Sequence, residues 1–333
     1  MARMSWQIIN DRAAWDNALC QLPNPHVLQS WAWGELKSRW GWRPERWRLD
    51  DDQGNPRAML QLLRRKVGPL SVLYAPKGPC ARDLAAYEDA LAFVERKAKH
   101  PLVVWAKVDG DPFYDDSPPR MDDVRARLRE RGWAYSAQQV QFRNTMFTSL
   151  NCSDDDLLKQ MKEKTRYNVR LAERRGVVVR CATEADYETL YAMYAETGQR
   201  DGFVIREAAY YFDVWRTMSA IPLLAEREGQ PLAGVILLCF ANRAWYFYGM
   251  SKTDGREHMP TFALQYHAMR WARDNGYAIY DWWGAPDKLD ETDSMWGVYR
   301  WKQGFGAEFV EGIGAWDFAP NKLLGKMANR VGG

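Results

Sequence analysis

The chain has only four histidines among its 333 residues, at positions 26, 100, 258 and 267, and none lies in an HExxH or paired Cys/His pattern. A metal centre therefore has no visible ligand set. No GxSxG elbow is present and no serine stands in a nucleophile context, so serine hydrolysis has no sequence support. A P-loop and a GxGxxG opening a helix are also missing. Cysteine is sparse and scattered, at 20, 80, 152, 181 and 239, without CxxC or zinc spacing. That odd, dispersed set implies reduced thiols in a cytosolic protein. The opening stretch MARMSWQIINDRAAW has no apolar signal core. The longest apolar runs, such as 235–240, fall far short of the ~20 residues of a membrane span. If the protein works at a membrane, it is expected to visit from the cytosolic side. Net charge is a modest +3, so a polyanion must be met by a local patch and not by the whole surface.

Tryptophan, in contrast, is abundant, with 17 residues. Its large face and single N–H suit half-buried pockets and binding surfaces. Hydrophobic residues at 47% and charged residues at 27% describe a folded, soluble chain, and the length suits two domains. Strand patterns at 46–50, 58–65 and 70–75 precede a helix over 84–99, a strand over 102–108, a loop through DGDPFYDDSPP and a helix over 122–131. The composition changes near 151. SDDDLLKQMKEKTRYNVRLAERRG reads as one helix, with a serine cap and acids at its start and arginines at its end. Then follow a strand at VVVR, helices over 184–199 and 207–219, a meander of strands at 223–228, 231–240 and 243–250, a helix over 258–275, a strand over 278–281 and a last strand over 308–312. The order of elements recurs, which predicts an α/β (α+β) chain of two similar domains in tandem. The first takes 1–148, completed by 313–333, and the second takes 149–312.

Four stretches are candidates for chemistry. The 159–175 helix carries Lys159, Lys162, Lys164, Arg166, Arg170, Arg174 and Arg175 against Glu163 and Glu173, over a narrow apolar face of Leu157, Leu158, Met161 and Leu171. It is either a solvated amphipathic helix or a contact for a phosphate backbone. SWAWGELKSRWGW sets Trp31, Trp33, Trp40 and Trp42 around Lys37 and Arg39, either as helix core or as an aromatic and cationic ligand surface. In RDGFVIREAAYY, Arg206 and Tyr210 are four apart on a helical stretch and share a face, while Tyr246 and Tyr248 alternate along a strand and point the same way. Each is core or pocket. Last, VYRWKQGFG places Lys302 between Trp301 and Phe305 in a strand end or a short helix that leads through GFG. Most lysines in such places are solvated. In SKTDGREHMPTFALQYHAM, the bulky EHMPTF stands where a glycine-rich pyrophosphate cradle would open a helix, which disfavours coenzyme A.

QSWAWGELKSRWGW, KEKTRYNVRLAERRGV, YDWWGAP and GVYRWKQGFGAEFVEGIG, in this order over nearly the whole chain, resemble the Fem (FemXAB) family of non-ribosomal peptidyltransferases. The resemblance implies two tandem acyl-CoA N-acyltransferase (GNAT)-like domains. It also implies an aminoacyltransferase that moves glycine, alanine or serine from aminoacyl-tRNA to the side-chain amine of a peptidoglycan precursor, either UDP-MurNAc-pentapeptide or lipid II. No cofactor and a monomer working in the cytoplasm, at most transiently at the inner membrane face, go with it. The short stretch 202–222 leaves no room for the helical arm of some members, so the chain is similar to the compact ones.

By the same resemblance, Lys37 and Arg206 bind the precursor diphosphate, and Tyr210, Tyr246 and Tyr248 line its pocket. Lys302 serves the tRNA-bound ester, with Trp301 standing where phenylalanine is usual. Lys162, Lys164, Arg166 and Arg170 contact tRNA, and Asp109 in KVDGDP is a candidate base. Amine attack on an activated ester needs mainly positioning and a cation for the developing oxyanion, a role that fits Lys302. A CoA-dependent N-acetyltransferase, a tRNA-dependent transferase acting on protein N-termini and a non-catalytic RNA-binding module are the alternatives.

Overall fold

The protein is described by a computed structural model covering residues 5–112 and 120–320. The expected loop through 113–119 and the tail 321–333 lie outside the described residues. The chain divides into two compact units. One runs to Arg143 and resumes at Glu311, and the other is Asn144–Val310.

The first unit contains β1 (Gln7–Ile8), α1 (Arg12–Leu19), α2 (Trp31–Arg39), β2 (Arg43–Asp50), β3 (Pro56–Val67), β4 (Leu70–Ala75), β5 (Cys80–Ala81), α3 (Leu84–Ala98), β6 (Val103–Val108), α4 (Met121–Glu130), β7 (Ala134–Tyr135) and the returning strand Trp316–Phe318. The sheet order is β1-β2-β3-β4-β6, then Trp316–Phe318, then β7, with β5 on β3. The β4/β6 pair is parallel, bridged by α3. α3 forms because Asp83 caps its first turn and Tyr87, Ala90, Leu91, Val94 and Ala98 recur on one face. That face joins Leu60, Leu62, Leu73, Ala106 and Trp316 in one buried core.

The second unit contains β8 (Thr145–Ser149), α5 (Asp154–Gln160), α6 (Glu163–Arg174), β9 (Val177–Cys181), α7 (Tyr187–Asp201), α8 (Ala208–Thr217), β10 (Ile221–Arg227), β11 (Gln230–Phe240), β12 (Arg243–Ser251), α9 (Pro260–Asp274), β13 (Ile279–Asp281), α10 (Trp296–Gly304) and β14 (Glu308–Val310). Its sheet order is β14-β8-β13-β12-β11-β10-β9, and again one pair, β12/β13, is parallel, bridged by α9. The expected recurrence of elements is thus present as the same meander, crossover helix and parallel return. Between α7 and β10 stands only the ten-residue α8, so no helical arm occupies that stretch.

Two local expectations are corrected. The basic segment is two helices and not one: Met161 is extended (ψ 145°), which ends α5 and buries Leu157 and Met161 in the core. α6 then restarts with the Lys162 N–H donating to the Gly304 carbonyl of α10 (2.8 Å), and its buried face is Thr165, Asn168, Val169 and Ala172. The strand β12 carries a bulge at Phe247: Tyr246 pairs with Leu237 but Tyr248 with Ile236. One extra residue reverses the alternation. Tyr246 and Tyr248 therefore point to opposite faces of the sheet, contrary to simple period-two spacing.

Candidate functional site

The parallel pair β12/β13 stays in register only from Arg243 to Trp245. Beyond that point the bulge bends β12, and the chain leaving β13 turns sharply through Trp283 (φ 47°) and Gly284 (φ 66°). This turn aims three successive carbonyls at one point. The ammonium of Lys302 occupies that point, donating to the carbonyls of Trp282 (2.8 Å), Trp283 (2.5 Å) and Gly284 (2.6 Å). Lys302 lies on the last turn of α10 and is only 3% exposed, so the solvated-lysine reading is wrong for it. The segment is a helix and not a strand end, because Trp301 and Phe305 must both reach the core: Trp301 meets Trp282 at 5.8 Å and Phe305 at 5.2 Å between ring centroids.

Burial pushes the Lys302 ammonium down to about 7, with the charge of Asp281 opposing. Three carbonyl acceptors call for three N–H donors, which only the protonated amine supplies. The Tyr246 ring lies 5.9 Å from the ammonium, a cation–π distance, and burial pushes the Tyr246 hydroxyl up to about 12. Asp281, itself buried, accepts from the Trp283 N–H (2.9 Å) and the Thr145 hydroxyl, which holds the carbonyl-bearing turn in place. The indole of Trp282 donates to Thr148 (2.8 Å). Asp281, Thr145 and the carbonyls of 282–284 were not foreseen. YDWWGAP was visible, but a backbone acceptor has no residue signature.

A second cluster sits on the α7/α8 side of the same sheet. The Arg206 guanidinium lies 4.7 Å from the Tyr210 ring, so the expected pair meets. Arg206 precedes α8 and does not lie on it, since Glu207 is the extended cap residue. Tyr248 packs edge-on to Tyr194 (5.6 Å) and Tyr211 (5.4 Å), and burial pushes its hydroxyl well above the usual range. Tyr210 and Tyr248 thus share this cluster, while Tyr246 belongs with Lys302.

On the basic segment, Lys162, Lys164 and Arg170 are exposed. Lys162 also donates to the Gln303 side chain (2.5 Å). Arg166 is turned inward, its guanidinium donating to the carbonyls of Leu158, Lys159 and Met161. It closes the end of α5, a role the charge count had concealed.

In the first unit, Lys37 is on the last turn of α2, half-buried, with its ammonium 5.0 Å from the Trp33 ring. Asp109 follows β6 and is 1% exposed. One carboxylate oxygen accepts from the Tyr74 hydroxyl (2.7 Å) and the other from the Lys77 N–H. Burial pushes its pKa up to about 6, with Lys77 opposing. At the start of α9, Pro260 occupies the first position and removes one N–H that a phosphate there would use. Among the described residues, no group of three or more His, Cys, Asp or Glu could hold a metal ion.

The FemAB family profile matches residues 15–221 and 217–332. The chain belongs to the FemAB family. Similar curated proteins include the lipid II:glycine glycyltransferases of Staphylococcus epidermidis, 23% identical over 93% of this chain and 91% of theirs, and of Staphylococcus aureus, with the same identity and coverage. Among solved structures, FemX superposes with a TM-score of 0.85 at 22% identity, over 98% of this chain and 100% of that one. A tandem GNAT protein from the clavulanic acid pathway superposes at 0.60 with 10% identity, over 96% and 99%. The family assignment, the aminoacyltransferase class and the tandem GNAT-like fold expected from the sequence are thereby established.

Proposed function

We propose that this chain transfers an amino acid from aminoacyl-tRNA to the side-chain amine of a peptidoglycan stem peptide, building the interpeptide bridge. Glycine is the preferred donor among glycine, alanine and serine, and lipid II the preferred acceptor over the UDP-linked precursor, because similar proteins are named for that pair. The observation that carries the chemistry is the buried Lys302 ammonium in its carbonyl cage at the point where β12 and β13 separate.

In the reaction the amine nitrogen bonds to the ester carbon. The carbon–oxygen bond to the ribose breaks, and the proton lost by the amine ends on the ribose oxygen. Negative charge grows first on the carbonyl oxygen and then on the leaving oxygen. A fixed cation in a dry setting favours that charge more than it favours the neutral ester, which is where rate is gained. Lys302 supplies this cation, and the cage prevents it from swinging away. Trp301, half-buried on the adjacent position, supports the same end of α10.

Arg206, with Tyr210 and Tyr248 around it, and Lys37 in its own unit each offer positive charge for the precursor diphosphate. Tyr246 orients Lys302. Lys162, Lys164 and Arg170 contact tRNA phosphates, and Arg166 holds the end of α5. Asp109, enclosed by Tyr74 and Lys77, positions the end of β6 and does not serve as the base.

The test is a transfer assay with a panel of charged tRNAs against the UDP-linked and lipid-linked precursors. Glycyl-tRNA with the lipid-linked acceptor should give the highest turnover. Absence of transfer in every combination would overturn the reading.

A further inference from the structure

In RDGFVIR, α7 ends at Gly202, which is left-handed (φ 76°), and the chain runs out before α8 begins. Val204 at the tip is 98% exposed and Phe203 beside it 41%, the former higher than any other exposed large hydrophobic among the described residues. An apolar tip usually folds back onto the surface. Here it is held out at both ends. The N–H groups of Gly202 and Phe203 donate to the Gly198 carbonyl (2.9 and 3.0 Å), and the Phe203 and Tyr194 rings lie 5.6 Å apart between centroids. At the other end the Arg206 N–H donates to the Tyr211 hydroxyl (3.1 Å) and the Arg206 carbonyl accepts from Tyr191 (3.1 Å). These bonds fix both ends of the segment while Val204 stays exposed between them.

We infer that the Phe203–Val204 tip is a membrane-surface contact, entering the headgroup boundary of an anionic bilayer beside a lipid-linked acceptor. This rests on the reading of that acceptor above. The chemistry is complementary at one depth. A polyprenyl diphosphate carries its phosphates at headgroup level, and Arg206, two residues from Val204 and within about 7 Å along the backbone, offers a guanidinium at that level. The neighbouring carboxylate of Asp201 is already paired with Arg200 (3.0 Å) and does not cancel it. Glu207 stands beside Arg206, so the hold on a bare bilayer comes from the apolar tip and not from a net local charge. No helix among the described residues is long and apolar enough to cross a membrane, so a small apolar anchor is the kind of contact a chain of this sort can make.

The test uses the full chain and vesicles of phosphatidylglycerol and phosphatidylethanolamine without precursor, read by co-sedimentation. The wild type should sediment with the vesicles. Val204→Asp should lower the partition by about tenfold and Val204→Trp should raise it, because an apolar group at the interface is exchanged for a charge or for an aromatic anchor. In transfer assays Val204→Asp should lose a similar factor on the vesicle-borne acceptor and nothing on the soluble UDP-linked one. A wild type that ignores the vesicles, equal partition of all three proteins, or equal loss on both acceptors would overturn the inference. Failure of transfer by the wild type would instead count against the proposed function, since the sedimentation arm does not depend on it.

Discussion

Each unit ends its parallel strand pair beside a buried carboxylate, Asp109 and Asp281, and the two ends differ in what holds the buried lysine nearby. In the first unit the carboxylate of Asp109 after β6 is enclosed by donors, the Tyr74 hydroxyl and the Lys77 N–H. Lys107 in β6 is closed off as well, paired with the Asp317 carboxylate at 2.9 Å. In the second unit the residues after β13 present acceptors, the carbonyls of 282–284, and an ammonium is brought to them from α10. A carboxylate partner neutralises a buried lysine and makes it a structural pair. Carbonyl dipoles hold the charge without a carboxylate in hydrogen-bond contact, which is the arrangement the proposed function uses. The same fold thus yields a lysine paired with a carboxylate in one unit and a lysine held by carbonyls in the other.

The largest expected effect tests that contrast directly. Lys302→Ala should lower single-turnover transfer by about 10²–10³-fold, the usual loss on removing one fixed stabiliser of an oxyanion. Lys107→Ala should instead leave Asp317 buried and unpaired, costing about 3–5 kcal/mol of stability by chemical denaturation while sparing the turnover of whatever protein remains folded. Equal loss of turnover in both variants would erase the distinction. The pH profile sharpens it. The Lys302 ammonium is pushed down to about 7 by burial, so the cation is present below that value and lost as pH rises through it. Transfer should carry a falling limb near 7 that is missing in the residual activity of Lys302→Ala. A rate rising through 7 with no falling limb would mean that the neutral amine is the active form.

The next effect is on stability. Asp109→Ala strands the Tyr74 hydroxyl and should cost about 1–3 kcal/mol, with turnover per folded molecule little changed. A base would show the reverse pattern. In the unfolded chain the carboxyl ionises near 3.8, in the folded one near 6. Its contribution is therefore full below about 4 and lost as pH rises to 6. Asp109→Asn should flatten the stability curve in that window, measured by urea unfolding across pH.

These contrasts also explain what was legible in the chain beforehand. The meander, the crossover helices and the tandem order were visible because they rest on apolar period and on caps such as Asp83 and Ser153. Lys302, Arg206 and Lys37 are singled out by resemblance alone, while the local sequence around Lys302 favours a solvated lysine, which its burial contradicts. The break at Met161 was hidden, because the apolar face of the segment reads continuously and the bond that accompanies the break, from the Lys162 N–H to the Gly304 carbonyl, is long-range in sequence. The bulge at Phe247 was hidden too, since one inserted residue leaves no mark in a run of aromatics.

The α6/α10 contact is the next place to press. A Cβ built on Gly304 would fall 2.5 Å from the Thr165 hydroxyl oxygen, so in Gly304→Ala something at this contact must shift, and the expectation is that α10, and with it Lys302, moves off α6. The overpacking should cost about 1–3 kcal/mol and lower the transfer rate as well. Thr165→Ala should recover part of both losses in the double variant, giving a coupling that a surface change would not show. Additive losses would mean that the contact does not hold the lysine.

The smallest effects belong to surface charge, where cations paired with neighbours differ from those left to solvent. In the first unit many cations are spent on neighbours, as in Arg131 with Glu95 (2.9 Å) and Arg64 with Glu45 (2.9 Å). On α6, Lys164 and Arg170 face solvent. Replacing either by alanine should weaken tRNA binding a few-fold and reduce the slope of log affinity against log salt by about 0.7–0.9, the share of one phosphate contact. Arg166→Ala should leave that slope unchanged, because its guanidinium is committed to the carbonyls of Leu158, Lys159 and Met161, and should lower stability instead. If Arg166→Ala moves the salt slope as much as Lys164→Ala does, the inward-turned arginine also reaches the RNA, and the division between charges that hold the fold and charges that meet a ligand is drawn in the wrong place on this helix.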